Sequence, residues 1–363
     1  MEEEKKISTE VPSTPETQEV AALEEELHGE NLTDRVKVLS PGQMVAKRFF
    51  RSKLSVIGLV TLIVLFLVSF IGPLFSPWSG SDMNGRVKDT NNIKDVVSSV
   101  KIEYVIDGET YVGYDVAVTT PDFNGHGDIS WEHWLGTDDH GYDIFTRLML
   151  GGRISLTIGF VVIILETILG VVLGGLAGYF GGWVDQLIMR IVDILSCIPT
   201  MPIMLILSAT LDSLKIYDIT KLYYLMLILT LFGWAGTARL VRGQILSLRE
   251  QEFMLAAKCS GLSTGRKIFK HLLPNVLPQL IVSMTLGLGG IILTEATLGY
   301  LGLGAPLGTA TWGAMINYAT KPEYLSNYLN FWVPPGICIT LAILAFNFVG
   351  DGLRDAFDPK MKR

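Results

Sequence analysis

A chain of 363 residues that is 49% hydrophobic, with 37 glycines and a mean hydropathy of +0.40, has the composition of a membrane protein. Its formal charge of -7 lies wholly in residues 1–39, where eleven acidic side chains oppose four basic ones; the neutral remainder offers no basic surface for nucleic acid. Cys197, Cys259 and Cys338 lack metal-ligand spacing and read as free thiols.

Residues 1–39 are rich in Glu, Thr, Ser and Pro and read as a disordered, acidic cytoplasmic tail. No cleavable leader is expected, because the first apolar run starts only at Leu54. Residues 40–78 hold a basic juxtamembrane anchor, Lys47 to Lys53, and a first span over Leu54 to Phe75. The next stretch, 79–153, is an external segment. From Ser79 to His140 it carries twelve acidic and four basic residues, the wrong sign for a cytoplasmic loop. Alternation around Asp107-Gly108 predicts a small β-hairpin there. Asp143 and Arg147 are expected as i,i+4 partners on a short interfacial helix. His126, His133 and His140 sit in a Gly-rich loop beside Trp131 and Trp134; no metal site is assigned to them.

Residues 154–349 form a core of five further spans, over Ile154–Tyr179, Leu187–Leu211, Leu222–Ala238, Leu277–Leu298 and Phe331–Val349. Residues 350–363 follow as a cytoplasmic C-terminal tail. Six crossings put both termini on one side, and basic residues place that side in the cytoplasm. Between the fourth and fifth of the six spans, Arg239 to His271 holds seven Lys or Arg and two acids. Within it, 249–274 reads as a knuckle. A helix from Phe253 to Ser260 stops at Gly261, and a second, capped by Ser263, ends at Pro274. Ala256 and Ala257 form a small-residue face where another protein can come close.

Charged residues inside spans mark functional candidates. Glu166 lies mid-span and Glu295 late in the fifth span, and both are taken as candidates for the substrate pathway or gate. Arg190 and Asp193 are expected to pair with each other as a structural element. Gly261 to Lys267 resembles a phosphate-binding loop but has the wrong spacing and no Ser or Thr after the Lys. No catalytic residue is assigned, because no nucleophile and base are arranged for it.

The knuckle resembles the cytoplasmic coupling loop of ATP-binding-cassette importer permeases: Ala256-Ala257, Gly261 and Leu273-Pro274 fall on that spacing. Leu255 stands where the pattern has Glu, and His271 where it has Ile. The run Gly136-Thr-Asp through Gly152-Arg-Ile-Ser-Leu156, then Ile198-Pro199, Leu301-Gly-Leu-Gly304 and Asp351 to Pro359, is similar to the peptide and nickel branch. The resemblance implies an all-α, six-helix type I importer permease, multi-pass in a prokaryotic cytoplasmic membrane. Its knuckle (Phe253, Ala256, Ala257, Gly261, Leu273, Pro274) would dock on ATPase subunits. It further implies a homologous second permease, two cytoplasmic ATPases, an external solute-binding protein and a peptide as cargo, with membrane lipid around it. ATP and Mg would belong to the ATPases, and this chain would bind no cofactor. Nickel, glutathione and oligosaccharides stay open as cargo. The rival of another class is a secondary transporter driven by an ion gradient.

Overall fold

The computed structural model describes residues 40–78, 99–106, 109–116, 129–131, 133–138, 141–216, 220–305 and 309–358. It divides into two units, residues 1–47 and 48–363. In the first, Ser40 and Gln43 cap the start of α1 (Pro41–Arg51) reciprocally: the Ser40 amide donates to Gln43 Oε1 at 3.0 Å, and the Gln43 amide to Ser40 Oγ at 3.3 Å. Two donors that a helix start leaves orphaned are satisfied this way, with Pro41 where no amide is needed. The expected acidic tail lies outside the described residues.

Among the described residues, five helices are long and apolar enough to cross a membrane: α2 (Lys53–Phe75), α3 (Ile144–Phe180), α6 (Thr220–Leu248), α8 (Thr264–Tyr300) and α11 (Leu329–Phe357). A sixth crossing exists if α4 (Gly182–Cys197) and α5 (Thr200–Ser213) count as one span. The third span expected over Leu187–Leu211 is broken into two helices instead of running as one. These two helices meet at 78°, because Ile198 and Pro199 hold extended backbone between them. Proline pushes the residue before it out of helical geometry, so Ile198-Pro199 is a corner.

Two other prolines do not break their helices. Pro73 in α2 and Pro274 in α8 each follow a wide π turn, at Leu67–Ile71 and Lys267–Leu272. There the Gly72 amide reaches back to Leu67 O, and the Leu273 amide to Ile268 O. The extra residue in the turn relieves the clash that a proline ring makes with the carbonyl four residues back. The knuckle's second helix therefore does not end at Pro274 but runs on as α8.

The expected interfacial helix and second span are likewise one element. With 37 residues, α3 is about 55 Å long, well beyond a hydrocarbon core of about 30 Å. Asp143 stands at its N-cap with extended backbone, and its Oδ2 accepts from the Thr146 amide at 2.7 Å. The Asp143 carbonyl accepts from the Arg147 amide at 3.0 Å, but the two side chains bond elsewhere. Asp143 bonds His133 Nδ1 at 3.0 Å, and Arg147 pairs with Asp138 at 3.1 Å. His133 thus serves the fold, stacked on Trp78 with centroids 4.3 Å apart. His126, Asp128, Asp139 and His140 lie outside the described residues.

Strands β1 (Ser99–Ile106) and β2 (Glu109–Val116) pair antiparallel, with Ile106 opposite Glu109. The remaining helices, α7 (Glu252–Cys259), α9 (Trp312–Ile316) and α10 (Pro322–Asn327), are short. The core centres on α3 against α6. Gly170, Gly174 and Gly178 of α3 lie directly on Thr237, Ala238 and Arg242 of α6. Spacing of four puts all three on one face, and without side chains the two backbones come into contact. A Cβ at Gly174 would meet the Ala238 carbonyl oxygen and lie 2.9 Å from its Cα, both backbone atoms that cannot turn aside. Gly174→Ala should destabilise the protein by roughly 1–2 kcal/mol. The measurement is the midpoint of thermal unfolding in detergent, which should fall by several degrees.

Candidate functional site

The knuckle is built from both of its flanking long helices. Where α6 ends, Arg249 Nη1 donates to the carbonyls of Gly178 and Tyr179 at 3.1 and 3.3 Å. Those are unpaired carbonyls of the last turn of α3, the negative end of a helix, so a guanidinium fits there. A turn at Glu250-Gln251 leads into α7. Helix α7 stops at Gly261, whose φ of +64° is the left-handed conformation. The Leu262 amide then reaches Ala257 O at 3.3 Å and the Gly261 amide Lys258 O at 3.0 Å. That paired pattern is the Schellman stop, and glycine adopts it without a side-chain penalty. Ser263 opens α8 with extended backbone, though its hydroxyl makes no capping bond.

One face of the knuckle turns inward. Met254 and Ala257 of α7, Leu272, Val276 and Leu280 of α8, and Val241 and Ile245 of α6 are all buried, and six of the seven form one cluster. Leu273 and Ile268 pack against that cluster. Ala257 therefore faces this chain's own core, and only Ala256 of the expected pair is exposed. Their positions are 100° apart on a helix, which is enough to separate inside from outside.

The other face is apolar and uncovered. Phe253 is 40% exposed, Leu255 62% and Phe269 71%, with Ala256 exposed beside them. Lys258, Arg266 and Lys270 of the knuckle are exposed as well, and so is Pro274 on α8. Leu255 and Phe269 carry no signal in the spacing pattern; their exposure shows only when the inward positions are known. The knuckle's inner face is thus packed against two long helices, while several apolar and basic side chains of its outer face are exposed.

The intramembrane candidates are placed differently from one another. Glu295 is buried at a junction of three elements. Ser155 Oγ of α3 donates to its Oε2 at 2.9 Å, while the Trp312 amide of α9 donates to Ser155 Oγ at 3.2 Å. The Trp312 indole closes the junction by donating to Leu148 O at 3.0 Å. Glu166 of α3 is also buried, with its carboxyl packed directly on Gly233 of α6. The structure does not bring these two carboxylates together.

Arg190 and Asp193 do not pair. Asp193 bonds Arg239 of α6 at 3.1 Å, and Arg190 is exposed. One turn further along α6, Arg242 grips Asp185 in two-pronged fashion, Nε on Oδ1 and Nη2 on Oδ2, the latter at 2.6 Å. For Asp193 a partner on the neighbouring helix thus replaces the local one, because α4 turns its acidic face to α6. Arg239 and Arg242 are what the sequence reading missed. Both are three residues apart on α6, and Asp185 and Asp193 are eight apart on α4, so each pair shares a helix face.

Residues 170–363 match the family described as binding-protein-dependent transport system inner membrane component. The chain belongs to that family. Residues 40–92 also match the N-terminal transmembrane domain of oligopeptide transport permease C. This permease is 35% identical over 327 residues to the oligopeptide transport system permease protein OppC of Bacillus subtilis, covering 90% of this chain and 92% of that one. It is 35% identical over 329 residues to the dipeptide transport system permease protein DppC of Alkalihalophilus pseudofirmus, covering 91% and 93%. Against the OppC of Haemophilus influenzae it is 32% identical over 336 residues, 91% and 94% of the two chains. It is a multi-pass membrane protein, the translocation component of an importer whose ATPase is a separate subunit.

Proposed function

We propose that this permease carries peptides into the cell and that its knuckle is the lever through which separate ATPases drive it. The observation that carries the reading is the two-faced knuckle. Its inner residues Met254, Ala257 and Leu272 fix it to α6 and α8, while Phe253, Leu255, Ala256 and Phe269 stand uncovered. An apolar patch with a charged rim marks a protein interface. When two ATPases close around ATP and Mg, a docked lever transmits the motion to α6 and α8. This chain supplies no ATP site and no cofactor of its own. A homologous second permease completes the pathway, and an external binding protein delivers the cargo. The peptide reading rests on relatives named for oligopeptide and dipeptide transport. Glu166 and Glu295 serve as interhelical contacts beside the pathway, and the wall is permissive toward side chains. Nickel, glutathione or oligosaccharide cargo is the alternative under the same machinery.

The decisive measurement is ATP hydrolysis by the assembled complex with its cognate binding protein. Peptides should stimulate it several-fold, and nickel, glutathione and oligosaccharides should not. Stimulation by one of those instead would replace the cargo assignment. Complete indifference of hydrolysis to any delivered ligand, with ion-driven uptake by the permease alone, would support a secondary transporter.

Orientation gives a further expected result, with both termini and the knuckle in the cytoplasm. Cys259 is exposed in the knuckle, as is Cys197 at the end of α4. In a chain with Cys197 and Cys338 replaced by Ser, an impermeant maleimide should label Cys259 only after cells are opened. In a fully cysteine-free chain, Trp131→Cys should label on intact cells. The reverse pattern would invert the topology.

A further inference from the structure

A cavity of about 650 Å³ lies where α2 ends and α3 begins. Its volume is within the range of roughly 300–1,000 Å³ typical of small-molecule sites. Val68 and Phe75 of α2, Trp78 and Trp134 of the adjoining loops, and Phe145 and Met149 of α3 line it. The few polar groups at its floor are already used by the protein. Asp143 Oδ1 meets His133 Nδ1 at 3.0 Å, and its Oδ2 accepts from the Thr146 amide and hydroxyl at 2.7 and 2.6 Å. Ser76 Oγ lies 2.7 Å from Thr146 Oγ1 and accepts from the Trp78 amide at 3.2 Å. A peptide or a sugar entering here would lose its hydrogen bonds to water and find few in exchange, a cost of about 1–3 kcal/mol for each group left unpaired. An apolar guest loses nothing of the kind.

The surface leading to the cavity identifies that guest. Among the five long helices, α2 is the least covered by the rest of the protein. Leu67, Ile71, Leu74 and Phe75 are exposed along it, the last two at 80% and 82%, and the run ends at the cavity wall. In a spanning helix such a face meets lipid tails wherever no partner subunit covers it. Tryptophans clustered at its end mark the level of the headgroups, where an indole is half in hydrocarbon and half in water. The cavity is therefore continuous with the lipid-facing side of α2 and opens near the membrane boundary.

We propose that this cavity takes one acyl chain of a membrane phospholipid, which leaves the bilayer along α2 and wedges between α2 and the start of α3. The chain would be a structural ligand, held more firmly than the surrounding lipid. It would brace the loop bearing His133 and Trp134, whose His133 stacks on Trp78 just beyond the end of α2. The proposal rests on the membrane-spanning fold and not on the nature of the cargo.

The test uses the full chain with its co-expressed partners, reconstituted in nanodiscs that contain a phosphatidylcholine with a photoactivatable diazirine near the end of one acyl chain. After irradiation and digestion, label should concentrate on the fragments holding Val68–Trp78 and Trp134–Met149. Val68→Trp fills the cavity from α2 and should lower that label at least fivefold; Met149→Trp does so from α3 and guards against misfolding of the first. Glycerophosphocholine, a headgroup without chains, should not compete, whereas unlabelled phosphatidylcholine should. Label spread evenly over all exposed apolar faces, or undiminished in both variants, would show annular lipid only and overturn the proposal. Displacement of the label by an apolar peptide would make the cavity a cargo subsite and overturn it equally.

Discussion

The double variant Leu255→Glu, Phe269→Glu should enter the membrane normally and lose its ATPase subunits on purification. Both side chains stand in water in the isolated permease, so the substitutions leave its own core intact, and surface changes of this kind alter stability by about 0.5 kcal/mol or less. In a docked complex the two side chains would be buried. Removing them forgoes about 1.5–3 kcal/mol each, and tenfold in affinity corresponds to 1.4 kcal/mol. Docking should weaken by roughly a thousandfold before any charge is counted. Ala257→Glu makes the contrasting case: it places a charge at a buried position on the inward side of α7, so the knuckle itself should unfold. Gly261→Asn should be almost silent, since Asn tolerates a positive φ, while Gly261→Val should misdirect α8. The readouts are ATPase stoichiometry by densitometry and the unfolding midpoint of the permease alone. Normal stoichiometry in the double variant would remove the knuckle from the coupling mechanism.

What could be read beforehand follows a physical division. Spans such as α2 and α6 are announced by composition, because a bilayer of fixed thickness demands a long apolar run wherever it is crossed. Gly261 was legible for a similar reason: a helix stop needs a positive φ at one residue, and glycine supplies it. Local demands leave local marks. The inward turn of Ala257 and the outward turn of Leu255 and Phe269 leave none, since a short helix between two spans can present either face. The same holds for Asp193. Its partner Arg239 is 46 residues away in sequence, and nothing in the local spacing favours it over Arg190. The corner at Ile198-Pro199 was visible as a dipeptide, yet Pro73 and Pro274 carry the same letter inside continuous helices. Pro73 and Pro274 each follow a wide turn, whereas Pro278, Pro334 and Pro335 lie inside helices without one, so the letter alone does not separate a corner from a continuous helix.

The ion pairs on α4 offer a second large effect. Three faces run along that helix: Ile188 and Val192 are buried, Trp183, Leu187, Ile191 and Ile194 are exposed, and Asp185 and Asp193 turn to α6. Holding α4 against α6 are the two Arg–carboxylate contacts, a bond from Arg239 Nη2 to Ser196 Oγ at 2.9 Å, and a small cluster of Val192 with Trp234, Ala235 and Ala238, against which Met189 and Leu195 pack. Of the two contacts, the grip of Arg242 on Asp185 is the less exposed and is bidentate, the stronger geometry. Arg242→Asp should therefore place two carboxylates where a fork and its anion stood. Breaking a fully buried pair costs about 3–5 kcal/mol, and partial exposure puts this one near the lower end. Transport should fall to a tenth or less, because α6 leads directly into the knuckle and α4 would no longer follow it. The exchange Arg242→Asp with Asp185→Arg tests whether the pairing itself is needed. Recovery should be clear but incomplete, since Asp185 also lies in the first turn of α4, where a negative charge complements the positive end of the helix at about 0.3–1 kcal/mol. Transport by the exchanged protein at about half the normal rate, with the unfolding midpoint largely restored, is the expected result. No recovery of either quantity would mean that Arg242 acts through some contact other than Asp185, and the bridge would not be what fixes α4 to the lever.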